Sequence, residues 1–196
     1  MTYTKQRFAS FEDYLTAEAC DLPEGRYEYW DGELVEIMPE SLLNDAIANY
    51  LYFLLIQAGI FHELVRPHSC EVEVIGKPKT RFPDLTILDD VHLTLMGKKT
   101  CVTLRMPPPR VLVEVVSPGD ENSDNYIRDY QDKPAQYAAI GVPEIWQIDP
   151  SRHYIKVGTL TNGEYQFNTF TGEAAIVSPT FPELNLTTVH ILERRT

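Results

Sequence analysis

The stretch VLVEVV, residues 111–116, constrains this chain more than any other. It is a near-continuous β-branched run between Pro109 and Ser117-Pro118, without the alternation of a strand that shows one face to water. Such a run reads as a strand buried on both faces, inside a sheet with helices packed on it. Glu114 interrupts it. An ionised carboxylate in an apolar strand is too costly to leave alone and calls for a metal, a cation or a proton. The fold must therefore cover the strand and supply Glu114 with a partner.

The flanking segments are consistent with a mixed sheet. Ser10 can cap a short helix over Phe11–Ala19, with Asp13 placed to complete the cap. RYEYWDGELVEIM sets two β-rich runs around Asp31-Gly32 and predicts a hairpin over Arg26–Met38. Ser41 caps the next helix, in which Leu43, Ile47, Tyr50, Leu51, Leu54 and Leu55 recur at helical spacing until Gly59. Strands are expected at Glu71–Ile75 and Leu85–Leu88 around the turn GKPKTRFPD, and Val91–Met106, which lacks a period, reads as a surface excursion. After the polar loop SPGDENSDN comes a helix over Tyr126–Ile140 ended by Gly141. Pro134 is tolerated there if a first turn begins close to it, and otherwise kinks the helix. EIWQID, Tyr154–Leu160, Tyr165–Phe170 and Ala174–Val177 complete the strands, with Asn162-Gly163 as a turn. The order predicts an α/β (α+β mixed) fold, a mixed sheet flanked by helices with additional β-hairpins. One domain is expected over 1–196: a helical preamble over 1–25, a core over about 26–150 and a strand-rich C-terminal extension over 151–196.

Composition narrows the function classes. A net charge of −12 repels nucleic acid at long range unless basic residues gather locally, and Lys77, Lys79, Arg81, Lys98, Lys99, Arg105 and Arg110 do concentrate between 77 and 110. Cys20, Cys70 and Cys101 have no metal-type spacing and read as reduced thiols. With no leader-like N-terminus and no apolar run of roughly 20 residues, the expected compartment is the cytoplasm, without membrane contact. The histidines at 62, 68, 92, 153 and 190 are scattered and are assigned to no metal. Frames for a serine hydrolase or a P-loop are absent from the sequence.

Asp84 follows Pro83 at the start of a short strand, thirty residues before Glu114, so adjacent strands could bring the two carboxylates to one cation. Magnesium is commonly held by one or two carboxylates when phosphate oxygens complete its shell. The bland alternatives are a strand-end turn for Asp84 and an ion pair with Arg81 or Arg110 for Glu114.

The blocks YWDGELVEIMPES, FPDLTIL, RVLVEVVSP, D-x3-K-x3-Y at Asp129, Lys133 and Tyr137, and GVPEIWQIDP together resemble the Uma-type restriction endonuclease family, long catalogued as a domain of unknown function. The resemblance runs from about Phe11 to Leu186 and implies the restriction-endonuclease-like fold of the PD-(D/E)XK nuclease superfamily. In that pattern an acid after proline and an acid-x-Lys strand hold Mg2+, with Mn2+ as a substitute. Asp84 matches the first acid and Glu114 the second, and the Val115 carbonyl would complete the protein ligands. The pattern's lysine falls on Val116. Lys133, one turn after Asp129, is the implied replacement, the alternative for that pair being an ordinary i, i+4 ion pair. Glu36, Asn44 and Asp129 are outer-shell candidates. The resemblance implies a magnesium-dependent endonuclease acting on DNA, and a homodimer for which the hairpin aromatics Tyr27, Tyr29 and Trp30 or the C-terminal strands offer surfaces. Two other readings stand beside it: a non-catalytic nuclease-fold module for binding or dimerisation, and a metal-dependent phosphoesterase on small nucleotides.

Overall fold

The computed structural model of the protein describes residues 7–194. Helix α1 (Phe11–Thr16) is capped by Ser10, whose hydroxyl accepts from the Asp13 N–H at 3.1 Å. It ends three residues earlier than the sequence pattern suggests, where Ala17 turns extended and the Thr16 hydroxyl takes the Glu12 carbonyl at 2.8 Å. The hairpin of β1 (Tyr27–Trp30) and β2 (Glu33–Glu36) closes through Asp31-Gly32, both at positive φ as a type I′ turn needs. Ser41 caps α2 (Leu42–Gln57). Then follow β3 (Val65–Pro67), β4 (Glu71–Glu73), β5 (Thr80–Arg81), β6 (Leu85–Ile87), α3 (Asp90–Leu95), β7 (Cys101–Val102) and β8 (Val111–Val115). Helix α4 (Asp124–Ile127), a π turn (Arg128–Asp132) and α5 (Lys133–Ala139) form one continuous helical arm, followed by β9 (Glu144–Asp149), β10 (Tyr154–Thr161), β11 (Glu164–Thr171) and α6 (Thr188–Glu193).

The main sheet is mixed, in the order β11-β10-β9-β8-β6-β3. Strand β8 is interior, antiparallel to β6 and parallel to β9, and each of its residues is buried. Val111, Val113 and Val115 pack with Ile47, Leu51 and Leu55 of α2 on one face, while Leu112 packs with Tyr137, Val142 and Ile145 on the other. Glu114 shares the pleat side of Leu112, so it must face the arm that carries α5. The continuous apolar run is explained by this double covering, and burying each such side chain contributes about 1.5–3 kcal/mol.

Two local expectations are corrected. Residues 91–106 are more than a surface excursion: α3 is closed by a capping box between Asp89 and His92, and β7 pairs with β4 in a separate sheet of order β5-β4-β7. Val102 joins Leu64, Cys70 and Leu88 in a small core of its own, which explains how a segment without periodicity becomes ordered. Ala174–Val177 is not a strand. The chain leaves the sheet at Gly172 and makes a single bridge from Ala175 to Thr187, while the Ile176 N–H bonds the Leu186 carbonyl at 2.8 Å and its side chain joins the α2 core. Strand β3 and helix α6 were not anticipated. Among the described residues no helix is long and apolar enough to cross a membrane.

Candidate metal and phosphodiester site

The β6–β8 ladder pairs Leu85 with Val113 and Thr86 with Leu112. Continuing that register by one residue sets Asp84 opposite Glu114, so the two carboxylates meet because their strands are neighbours. Asp84 accepts the Val115 N–H through Oδ2 at 2.7 Å. Its other oxygen lies 3.5 Å from His68 Nδ1. Both acids are buried, with 4% of each residue exposed.

The helical arm delivers the counter-charge. Lys133 Nζ donates to Glu114 Oε2 at 2.6 Å and lies 3.1 Å from Asp129 Oδ1, while the Tyr137 hydroxyl donates to Glu114 Oε1 at 2.5 Å. Asp129, Lys133 and Tyr137 are spaced by fours, and in an α-helix each such step overshoots a full turn by about 40°. The π turn absorbs that drift. Its Lys133 N–H reaches back five residues to the Arg128 carbonyl. Pro134, at the start of α5, has no N–H to offer the Tyr130 carbonyl, so ordinary α spacing is broken there. The sequence posed Pro134 as a kink or a first turn, and it is a first turn preceded by a wide one.

Arg128 grips Asp129 with a two-pronged contact, Nε to Oδ1 at 2.9 Å and Nη2 to Oδ2 at 3.0 Å. The Ser117 N–H also donates to Asp129, at 3.2 Å. Burial works to raise the Asp129 carboxyl, but Lys133, Arg128 and Ser117 together bring it down to about 2. Burial likewise pushes Glu114 up, and Lys133 reverses this only in part. Asp84 stands well above the usual carboxylate range because it is buried and faces Glu114. For Lys133, burial alone would lower the ammonium; Glu114, Asp129 and Asp84 more than reverse that and hold it protonated.

The outer-shell candidates separate. Asn44, near the start of α2, donates from Nδ2 to the Val115 carbonyl at 3.1 Å, steadying the end of β8 from the opposite face. Asp129 holds Lys133. Glu36 is exposed and lines only the mouth of the cleft, which has a volume of about 500 Å³ and is walled by Asp84, Val115, Asp129 and Lys133 with Glu28, Glu40 and Arg128 at its sides. Arg81 and Arg110, the alternative partners for Glu114, are engaged elsewhere, Arg81 with Glu28 and Gln136 and Arg110 with the Thr180 carbonyl and the Phe181 ring. Sequence reasoning missed Arg128 and His68. Arg128 could have been flagged by its place beside Asp129. His68 has no local signal, because it meets Asp84 through the β3–β6 pairing, which also joins the His68 N–H to the Asp84 carbonyl at 3.0 Å.

A family model described as "Putative restriction endonuclease", that of Uma2, matches residues 11–189. The chain belongs to the Uma2 family. It is also similar to the crystal structure of "a putative nuclease belonging to DUF820" from Anabaena variabilis, with a TM-score of 0.64 and 16% identity over 94% of this chain and 97% of that one. At that identity the likeness speaks for the fold. No curated protein matches the chain.

In this Uma2 chain a divalent cation would be held by few protein groups. Among the described residues no three or more His, Cys, Asp or Glu side chains gather as a metal cluster. The donors that do converge are two carboxylates on adjacent strands and the Val115 carbonyl, all oxygen, as a hard cation that keeps several waters prefers. Glu114 already accepts two hydrogen bonds, but a carboxylate offers about four acceptor positions and a carbonyl two, so capacity remains. The Asp84 oxygen that faces His68 at 3.5 Å is left with acceptor capacity. The donor set fits such a cation.

The basic residues of 77–110 do not form an open phosphate-facing patch. Lys77 pairs with Asp31, Lys79 with Glu73, Lys98 with Glu18, Lys99 with Glu71 and Arg105 with Glu12. Four of them line a larger cavity of about 860 Å³ between α1 and the 95–106 segment, away from both acids. The hairpin aromatics are mainly intramolecular: Tyr29 is buried against Phe11 and Tyr14, and the Tyr27 hydroxyl donates to the Glu24 carbonyl.

Proposed function

We propose that this protein is a divalent-metal-dependent endonuclease that hydrolyses phosphodiester bonds of DNA, using Mg2+ or Mn2+ at Asp84, Glu114 and the Val115 carbonyl. The observation that carries the reading is that Asp84 and the Lys133 ammonium line one cleft, with Lys133 Nζ 2.6 Å from the buried Glu114, whose strand pairs with that of Asp84. When bound, the cation supplies charge neutralisation at the phosphate and activation of a water. Asp84 and Glu114 provide the negative charge that attracts it into a cleft whose acids otherwise outnumber its bases. Lys133 is held protonated by three carboxylates, so its part is to orient a nucleophile or a phosphate oxygen and to oppose developing negative charge, not to accept a proton. It supplies from the helix the ammonium that Val116, buried and apolar, does not. Asp129 and Tyr137 keep Lys133 and Glu114 oriented.

The test is a cleavage screen with plasmid, single-stranded DNA, RNA and small nucleotide esters, with Mg2+, with Mn2+ and with EDTA, against Asp84→Asn, Glu114→Gln and Lys133→Met. Metal-dependent DNA cleavage lost in all three variants is expected. Cleavage confined to small nucleotides would select the phosphoesterase. If the parent cuts nothing and melts at the same temperature with or without millimolar metal, the chain is a nuclease-fold binding module.

A further inference from the structure

The two edges of the main sheet are treated differently. Strand β3 is three residues long and carries Arg66 and Pro67, and shortness, charge and proline all discourage further pairing. Strand β11 at the other edge is eight residues long, EYQFNTFT, with no proline, lysine or arginine and a single charge at its first residue. Six of its eight residues are exposed. Asn162-Gly163 closes the β10–β11 hairpin as a two-residue turn, so Thr161 and Glu164 exchange hydrogen bonds, and with them Gln166, Asn168 and Phe170 direct their amides at β10. The Leu160 N–H, which reaches the Pro143 carbonyl toward β9, confirms that alternation. Tyr165, Phe167 and Thr169 therefore aim N–H and C=O groups outward, and none of these has a hydrogen-bond partner among the described residues.

We infer that this edge pairs with the same edge of a second copy of the chain, antiparallel, about a two-fold axis at Phe167. Only outward-facing residues can form the hydrogen-bonded pairs of a new ladder. The register in which Phe167 faces the partner's Phe167 and Tyr165 faces the partner's Thr169 meets this condition and keeps all three outward residues in the ladder. In that register Gln166 meets the partner's Asn168 and Glu164 meets the partner's Phe170, so amide faces amide and no like charges oppose. Phe167 is 39% exposed and lies across Gly158, whose bare Cα leaves room for the ring: a Cβ there would come within 2.7 Å of it. The ring is thus fixed on the sheet face where the partner's ring would arrive. A self-complementary strand favours a second copy over an unrelated peptide. Each subunit keeps its own Asp84, Glu114 and Lys133, so the association does not depend on the nuclease reading.

Sedimentation equilibrium of the full chain over a wide concentration range tests this. A reversible dimer is expected, with the dissociation constant raised about tenfold or more by Phe167→Lys and by Thr169→Pro. The proline removes only an outward N–H, so the β10–β11 ladder persists and the melting curve verifies the fold. In a Cys20→Ser background, Phe167→Cys should crosslink rapidly on oxidation, because a hydrogen-bonded antiparallel pair sets Cα atoms about 5.5 Å apart, within disulfide reach. Gln166→Cys, whose copies are offset along the strand, should crosslink far more slowly. A strict monomer at every concentration, or a dimer that ignores both edge substitutions, overturns the inference.

Discussion

Lys133 Nζ lies 2.6 Å from Glu114 Oε2, joining the helical arm to the interior strand of the sheet through one buried ion pair. Only 12% of the lysine side chain and 5% of the glutamate side chain are exposed, so this is a buried pair and not a weak surface contact. Asp129 shares the same ammonium at 3.1 Å.

Removing that ammonium should cost both stability and turnover. Lys133→Met leaves the buried Glu114 without its cation and Asp129 with Arg128 alone, and breaking a buried pair from one side costs about 3–5 kcal/mol. Urea unfolding at neutral pH measures it. Glu114→Gln should cost clearly less, since burial already favours a neutral group there. Equal losses in the two variants would contradict the charge balance drawn for the cleft.

Asp84 gives a pH dependence of definite sign. Its folded-state pKa is raised, so its contribution to stability is complete below the unfolded carboxylate value of about 3.9 and is lost as pH rises through the folded value. In EDTA, Asp84→Asn should therefore gain on the parent protein as pH goes from about 4 to 8. Millimolar Mg2+ or Mn2+ should restore the parent and leave the variant unchanged. Melting temperatures across pH, with and without metal, decide it, and a variant stabilised equally by metal would remove Asp84 from the ligand set.

Asp129 has the opposite sign. Its pKa is depressed to about 2, so its contribution is present above the unfolded value and is lost as pH falls through the folded one. Asp129→Asn should cost about 2–3 kcal/mol at pH 7, with the difference from the parent shrinking between about pH 4 and pH 2. Chemical denaturation of both proteins at several pH values reads this directly. A gap that widens on acidification would contradict it.

Pro134→Ala restores an N–H where the Tyr130 carbonyl lacks one and should let the π turn tighten toward α spacing. Asp129 would then rotate relative to Lys133. The fold should persist, with cleavage reduced by about 100-fold, as misplacement of a reacting group by about 1 Å does. Unchanged cleavage would mean that the wide turn has no part in aligning the site.

Much of this could be read from the residues. Asp31-Gly32 and Asn162-Gly163 announced their hairpins because each pair accepts positive φ, and Ser10 and Ser41 announced two helix starts by their capping chemistry. What failed depended on distant partners. Cys101–Val102 is a strand only because β4 lies beside it, Val65–Pro67 only because β6 does, and α6 only because α2 receives Ile191. The basic stretch 77–110 looked like one patch in the chain, yet its members point to separate acids, most of them far away in sequence.

By itself the sequence determined that an interior strand lies within residues 111–116 and that Glu114 in it needs a partner, because apolar continuity and the cost of a bare buried carboxylate are local properties. It also marked Asp84 as the companion acid and set Lys133 four residues beyond Asp129. The tertiary structure decided which cation answers Glu114, since Arg81, Arg110 and Lys133 were all available on paper. Lys133 reaches it because the wide turn before Pro134 aims three residues spaced by fours at one point of the sheet. That convergence exists only once helix and strand are docked, for electrostatic pairing acts over a few ångströms of space, whatever the separation along the chain.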